Sequence, residues 1–305
     1  MKPFKNRNII SIKDFTKEEI MHILNTAKKF KIKVNPILLK HKILASLFFE
    51  PSTRTRFSFE SAMERLGGSI ISLAEAKSSS ASKGESVSDS IKIVDKYCDV
   101  IAMRHSLEGS ARLASEVSNN PILNGGDGAN QHPTQTFLDL FSILETQKKL
   151  KGLNVALVGD LKYGRTTHSL AYALGMFGAR LFFIAPPSLQ MPSYVTHDLK
   201  KLKAKYSTHT EPERIMPKLD IFYATRIQKE RFGDPMEYEK VKDAYIITNK
   251  LLTKVKKNFK ILHPLPRVNE INYEVDNTPY AYYFEQANNG LFVREALLAL
   301  VLGKV

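Results

Sequence analysis

Apolar residues along this chain alternate between short unbroken runs and stripes at helical spacing. Residues 43–49 form one such run, the pattern of a strand buried on both faces. Beyond a turn, Phe59, Ala62, Met63 and Leu66 fall at i, i+3, i+4 and i+7, one face of a helix, and Gly67-Gly68 closes it. Upstream, residues 15–30 read as a helix with Asp14 placed to cap it. A helix over 87–97 leads into a strand at 99–103. After a glycine-rich turn, Asn124-Gly125-Gly126-Asp127-Gly128, the stripe Phe137, Leu140, Phe141 and Leu144 marks a further helix, closed by Lys148 and the lysines after it. A second series follows. It comprises a strand at 154–158, a helix at 166–177 ended by Gly178, and a strand at 181–185 stopped by Pro186-Pro187. Short strand candidates lie at 221–224, 245–248 and 260–262. Residues 296–302 are apolar nearly all round, as in a buried helix. Strands alternating with helices predict an α/β protein with mainly parallel sheets flanked by helices. The patterning breaks near residue 150, which predicts two domains.

Composition narrows the class. The chain has 305 residues, 43% hydrophobic and 25% charged, ordinary for a globular protein. No apolar run approaches bilayer length, so no membrane role is expected. The start, Met1-Lys2-Pro3-Phe4-Lys5, lacks the apolar core of a secretory leader. A single cysteine, Cys98, excludes an internal disulfide and a cysteine metal cluster. Both point to a reducing, cytoplasmic location. The formal charge of +14 raises the question of nucleic acid. The lysines, however, are scattered over helical faces (Lys28, Lys29, Lys31, Lys33; Lys200, Lys201, Lys203, Lys205), and no base-reading motif accompanies them. A positive field suits small anionic substrates better.

Candidate chemistry concentrates where strands hand over to helices. Ser52-Thr53-Arg54-Thr55-Arg56 lies between the 43–49 strand and the helix after it. Unpaired backbone N–H groups point out of a helix N-terminus, and hydroxyls and guanidiniums there build a site for phosphate or a similar oxyanion. Arginine at the positive end of a helix is electrostatically unfavourable unless an anion compensates it. The competing role for Ser52 and Thr53 is ordinary capping. The polar stretch 74–85 is too polar to bury and reads as a mobile loop or a plain linker. His132-Pro133-Thr134-Gln135 opens the next helix with proline at its first position. No partner stands at metal-ligand spacing from His132, so no metal is expected. Residues 159–166, Gly-Asp-Leu-Lys-Tyr-Gly-Arg-Thr, nearly match a nucleotide P-loop but carry Arg165 where lysine belongs. The better reading puts Arg165 at a strand's carboxyl end, where ligands sit in open α/β sheets. Thr225-Arg226-Ile227-Gln228 offers a guanidinium suited to a carboxylate, with an amide on the same side of an extended chain. In His263-Pro264-Leu265-Pro266-Arg267 two prolines remove two N–H donors, leaving a backbone that presents mostly carbonyls to a ligand NH₂.

Taken together, these segments resemble the catalytic-chain family of aspartate carbamoyltransferases. Ser-Thr-Arg-Thr-Arg, the Lys83-Gly84-Glu85 loop, His-Pro-Thr-Gln, Gly-Asp-Leu-Lys-Tyr-Gly-Arg-Thr, Thr-Arg-Ile-Gln-Lys-Glu-Arg and His-Pro-Leu-Pro-Arg occur in that family's order, and the match runs essentially end to end. The resemblance implies the aspartate/ornithine carbamoyltransferase fold. It gives a carbamoyl phosphate domain over 1–150, an aspartate domain over 151–287, and a terminal helix over 288–305 packing back on the first. It implies carbamoyl transfer from carbamoyl phosphate to L-aspartate with no cofactor and no metal. By matching positions, Ser52, Thr53, Arg54 and Thr55 would bind phosphate, and Thr55, Arg104 and His132 would contact the carbamoyl carbonyl. Gln135 and the backbone carbonyls of Pro264 and Leu265 would hold its NH₂. Arg165, Arg226 and Gln228 would take the aspartate carboxylates, and Glu50 and Arg231 would brace domain closure. Ser79 and Lys83, on the mobile loop, would enter a neighbouring subunit's site, which implies a homotrimer with shared sites. Residues 108–114, Glu-Gly-Ser-Ala-Arg-Leu-Ala, resemble the surface that meets separate zinc-containing regulatory chains in some members, so the resemblance admits such a partner. Ornithine carbamoyltransferases usually carry cysteine where Thr134 and Pro264 stand here, which makes aspartate the expected acceptor.

Overall fold

The structure, a computed structural model, describes residues 2–73, 84–229 and 232–305. The chain divides into two compact units, Met1–Phe141 with Asn288–Val305, and Ser142–Ala287. Each is built on a parallel sheet with helices against it.

In the first unit the elements run α1 (Lys17–Ile32), β1 (Ile43–Phe48), α2 (Thr53–Arg65), β2 (Ser69–Leu73), α3 (Val87–Val94), β3 (Val100–His105), α4 (Ser110–Val117) and β4 (Ile122–Asp127). Helix α5 (Pro133–Gln147) follows. The sheet order is β2-β1-β3-β4, every ladder parallel. Ala45, Leu47, Ile101 and Met103 pack with Ile91 of α3 and Ala111 and Ala114 of α4 in one buried cluster. Helices on the sheet explain why β1 reads as a continuous apolar run with no alternation.

The second unit runs β5 (Asn154–Val158), α6 (Arg165–Met176), β6 (Arg180–Ile184), α7 (Ser193–Lys201), β7 (Lys205–His209), β8 (Ile221–Ala224), α8 (Pro235–Glu239) and β9 (Lys260–Leu262). Its order is β7-β6-β5-β8-β9, again all parallel. Phe222, Phe259, Ile261 and Tyr283 anchor its core. The last helix, α9 (Tyr283–Val301), buries Val293 and every residue from Ala296 to Val301.

Four sequence expectations are corrected. Thr16, not Asp14, caps α1; its hydroxyl accepts from Glu19 N–H while the Glu19 carboxylate accepts from Thr16 N–H at 2.9 Å. Asp14 belongs instead to a short 3₁₀ turn capped by Ser11. The expected glycine-rich turn at 124–128 is largely strand β4, fully buried, because small residues let neighbouring backbone and side chains approach closely. Residues 245–248 form no strand; a single parallel bridge joins Ile247 to Ile271. Helix α3 also ends at Val94, short of the expected limit at 97.

Glu19 makes a testable acid-lability site. Arg7 Nη1 donates to its Oε1 at 2.7 Å, and the side chain is 3% exposed. The Arg7 hydrogen bond, opposed by burial, holds the Glu19 carboxyl at about 2. A carboxyl depressed on folding contributes stability above its unfolded value and loses it as pH falls through its folded value. The contribution is at most about 3 kcal/mol and fades between roughly pH 4.5 and pH 2. Glu19→Gln should therefore destabilise the protein at neutral pH, with the gap to wild type closing near pH 2 in urea unfolding. A gap that stays constant with pH would contradict this.

Cys98 lies just after α3, half-buried, with Sγ donating to Val94 O at 3.3 Å. Burial, reinforced by the charges of Asp95 and Asp99, pushes its thiol up to about 12.

Candidate active site

In both sheets the order reverses at one point: between β1 and β3 in the first unit, and between β5 and β8 in the second. Loops leaving the carboxyl ends of strands on either side of such a point diverge and leave a crevice. Ser52 to Thr55 and Arg104 lie at the first of these places and Arg165, Arg226 and Gln228 at the second, whereas His132 and Gln135 follow β4 and Pro264 and Leu265 follow β9.

In the first unit, α2 begins with Ser52 at the N-cap, and Ser52 makes no side-chain cap bond. The first turn carries no acidic residue. Ordinary side-chain capping therefore does not account for Ser52. Thr55 is buried. Arg54 has its guanidinium lowered from the ordinary value by desolvation. From the next strand, Arg104 sits beside Phe48 in the β1–β3 register. Its Nε lies 3.2 Å from Glu50 Oε2 and its Nη1 donates to Gly125 O at 3.3 Å. Gly125 in turn faces Thr55: a Cβ built there would stand 3.5 Å from Thr55 Cγ2. Arg104, Gly125 and Thr55 are thus brought together. Glu50, expected to brace domain closure, here pairs with Arg104 inside the first unit.

His132 is held by the loop after β4. Asp127 accepts from Gly109 N–H, Gln131 N–H, Asn124 Nδ2 and Asn130 Nδ2, at 2.9–3.1 Å. His132 is 4% exposed, and Thr134 Oγ1 lies 3.4 Å from its Nδ1. The His132 carbonyl accepts from the N–H groups of Gln135 and Thr136 at the start of α5. Gln135 Nε2 donates to Asp139 Oδ1 at 2.9 Å.

In the second unit, β5 and β8 pair side by side and their ends are locked together. Gly159 has φ +111°, and a Cβ there would fall 2.2 Å from Thr225 O, so only glycine fits. Thr225 N–H and Oγ1 both donate to Val158 O, at 2.9 and 3.0 Å. Arg165 opens α6 after β5, and Arg226 and Gln228 follow β8. Asp160 organises this edge. It is fully buried, and burial raises its carboxyl despite N–H donors from Tyr163, Gln228 and Lys162 and the side chain of Gln228. On the adjoining strand end, Leu265 N–H donates to His263 Nδ1 at 2.8 Å, and Nε2 of the same ring pairs with Glu270 at 2.7 Å. Gln286 Oε1 accepts from His263 N–H at 2.7 Å. Arg267 pairs with Asp276 and lies over the Tyr273 ring at 4.5 Å. The Pro264-Leu265 carbonyls are therefore presented by a tethered loop.

Ser79, Lys83 and Arg231 lie outside the described residues. Sequence reasoning missed Asp127, Asp139, Asp160 and Glu270, the acids that hold these loops. Asp160 stands in a motif already singled out, and its signal was a lone acid directly after a buried strand. Among the described residues no group of three or more His, Cys, Asp or Glu could hold a metal, and no helix is long and apolar enough to cross a membrane.

Two parallel α/β units, each with guanidiniums and hydroxyl or amide groups at the switch point of its sheet, define a protein that handles small anions at strand ends. The first domain model of the aspartate/ornithine carbamoyltransferases, described as carbamoyl-P binding, matches residues 7–145, and the second, described as Asp/Orn binding, matches residues 151–301. The chain is 56% identical over 301 residues to the aspartate carbamoyltransferase catalytic subunit of Vibrio vulnificus strain YJ016, covering 98% of this chain and 97% of that one. It is 55% identical over 300 residues to the Bacteroides thetaiotaomicron catalytic subunit, covering 98% and 96%. The catalytic subunit of M. jannaschii aspartate transcarbamoylase superposes with a TM-score of 0.90 at 49% identity, covering 97% of this chain and 98% of that one. The Trypanosoma cruzi enzyme, solved with carbamoyl phosphate and aspartate, superposes with a TM-score of 0.92 at 36% identity over 99% of both chains. This chain belongs to the aspartate/ornithine carbamoyltransferase family.

Proposed function

We propose that this protein transfers the carbamoyl group of carbamoyl phosphate to the amino group of L-aspartate, giving N-carbamoyl-L-aspartate and phosphate, the committed step of pyrimidine biosynthesis. The observation that carries this reading is the acid-free start of α2, with its serine uncapped, set against Thr55, Gly125 and Arg104. The T. cruzi relative, solved with carbamoyl phosphate and aspartate and also with carbamoyl aspartate and phosphate, supports it.

In this reading Ser52, Thr53, Arg54 and Thr55 bind the phosphate with the N–H groups of α2. Gln135 and the Pro264 and Leu265 carbonyls receive the carbamoyl NH₂. Arg165, Arg226 and Gln228 take the aspartate carboxylates. The neutral amine attacks the carbonyl carbon, a C–N bond forms, and negative charge moves to the carbonyl oxygen. Arg104, Thr55 and His132 stabilise that oxygen as preorganised donors. The C–O bond to phosphate then breaks, and the departing phosphate takes the amine proton. In this role His132 donates from a ring N–H, with Thr134 Oγ1 lying 3.4 Å from Nδ1. Rate comes from orientation and charge stabilisation, with no protein nucleophile.

The same reading places the enzyme in the cytoplasm as a homotrimer, with Ser79 and Lys83 serving a neighbouring subunit's site. The catalytic-subunit names of its relatives fit a separate regulatory chain as a further partner, and the resemblance of residues 108–114 makes that chain a zinc-containing one.

Phosphate release from carbamoyl phosphate should depend on added aspartate; release with ornithine and none with aspartate would overturn the assignment. His132→Ala should lower kcat about a hundredfold or more, by analogy with other lost oxyanion donors, and weaken carbamoyl phosphate binding much less. Equal losses in the two would remove His132 from the transition state.

A further inference from the structure

Gln135 and Asp139 stand one turn apart on α5, both buried, and the amide nitrogen of Gln135 donates to Asp139 Oδ1 at 2.9 Å. An ionised carboxylate can only accept. It therefore fixes which edge of the amide faces it, a choice that an isolated glutamine leaves open. With the NH₂ edge committed to Asp139, the edge turned away is the carbonyl oxygen.

A second buried charge stands behind this pair. Arg294 of α9 is 3% exposed, and burial lowers its guanidinium to about 10, with the Asp139 charge opposing that fall. It therefore remains a cation at neutral pH. Its Nη1 donates to Ser58 Oγ of α2 at 2.8 Å, and its guanidinium lies 5.0 Å from the centre of the Phe59 ring. Space for it is made on its own helix: a Cβ on Gly290 would fall 2.4 Å from Arg294 Nη1. The Arg294 guanidinium and the Asp139 carboxylate act on one another electrostatically, and at the Gln135 contact Asp139 is the acceptor.

We infer that Asp139 and Arg294 are positioning residues that force Gln135 to present its carbonyl oxygen, so that the first substrate is selected for carrying an NH₂ group. The inference rests on the proposed carbamoyl phosphate reading and adds a cause for its specificity. A glutamine free to turn would present its own NH₂ half the time and would tolerate a methyl or a hydroxyl in place of the substrate's amine. The held orientation leaves an acceptor whose partner must be a donor. A ligand lacking that donor strands a buried polar oxygen, which is costly.

The test uses three stable probes on the full-length protein: inorganic phosphate, phosphonoacetamide, and acetonylphosphonate, in which methyl replaces the amide NH₂. Wild type should bind the amide more tightly than the ketone by about tenfold or more. In Asp139→Asn the new side chain can donate as well as accept, Gln135 can turn, and the preference should fall close to unity while phosphate affinity stays as in wild type. Gly290→Ala, which adds one methyl against the Arg294 guanidinium, should lower the preference in the same direction by a smaller factor. In unmodified protein the Gln135 side-chain NH₂ resonances, assigned by their loss in Gln135→Ala, should keep their positions when phosphonoacetamide binds. A wild-type preference retained in both variants, an equal loss for all three probes, or a large ligand-induced shift of those resonances would overturn the inference. With aspartate-dependent turnover intact in wild type, such a result leaves the parent reading standing. Absence of both turnover and amide preference in wild type would instead bring down the parent reading, and this inference with it.

Discussion

Replacing Arg54 with alanine should lower kcat by about a thousandfold or more while leaving thermal stability essentially unchanged. Arg54 is the second residue of α2, at the positive end of the helix dipole, with no acid in its turn and no ion pair among the described residues. Desolvation alone moves its guanidinium, downwards. Nothing among the described residues repays holding this charge there, so removing it should not weaken the fold. Charge builds on the phosphate as the C–O bond breaks, and a fixed cation at that oxygen is worth more in the transition state than in the ground state. The loss should therefore fall on kcat more than on the KM for carbamoyl phosphate. Steady-state kinetics beside a melting curve decide it. A variant that keeps kcat and only raises KM would make Arg54 a simple phosphate binder. A melting temperature lowered by many degrees would make it a structural residue.

Arg226→Ala should raise the KM for aspartate about a hundredfold or more and leave the KM for carbamoyl phosphate nearly unchanged. Its base is immobilised: Thr225 spends two donors on Val158 O, and Gly159 packs against the Thr225 carbonyl. The guanidinium therefore leaves a fixed point on the strand edge, and a planar fork so anchored can meet a carboxylate with two parallel bonds. Arg226→Lys keeps the charge but loses the fork and should recover only part of the affinity. Full recovery by lysine would show that charge alone matters. An equal rise in both KM values would place Arg226 outside the aspartate half of the reaction.

The buried strands β1, β5, β8 and β9 were legible because helices cover the sheets, and unbroken apolar runs are what such burial demands. Strand β2, Ser-Ile-Ile-Ser-Leu, was not: it lies at an edge of its sheet, and its residues are only partly buried or exposed. Strand β4 hid for the opposite reason. Its Asn-Gly-Gly-Asp tail has turn composition, yet it is fully buried and stabilised by side chains of its own: Asn124 Oδ1 accepts from Gly126 N–H, and Asn124 Nδ2 donates to Asp127. Asn124 Nδ2 also donates to Ile10 O, more than a hundred residues away, so local propensity lost there to burial and tertiary hydrogen bonding. In the first unit Thr55 and Arg104 both approach Gly125, though Arg104 stood in no segment the pattern singled out and entered only through the family resemblance. What no local pattern could show is that Asp139, which accepts from Gln135 within one helix, also acts electrostatically on Arg294 more than a hundred residues along the chain.

The Cys98 thiol has a practical consequence. A sulfur kept protonated at neutral pH by burial and two nearby carboxylates is a poor nucleophile towards maleimides and disulfide reagents. The protein thus offers a silent background for site-directed spin or dye labels: a new cysteine on an exposed loop would be the sole fast-reacting group, with no need to delete the native one first.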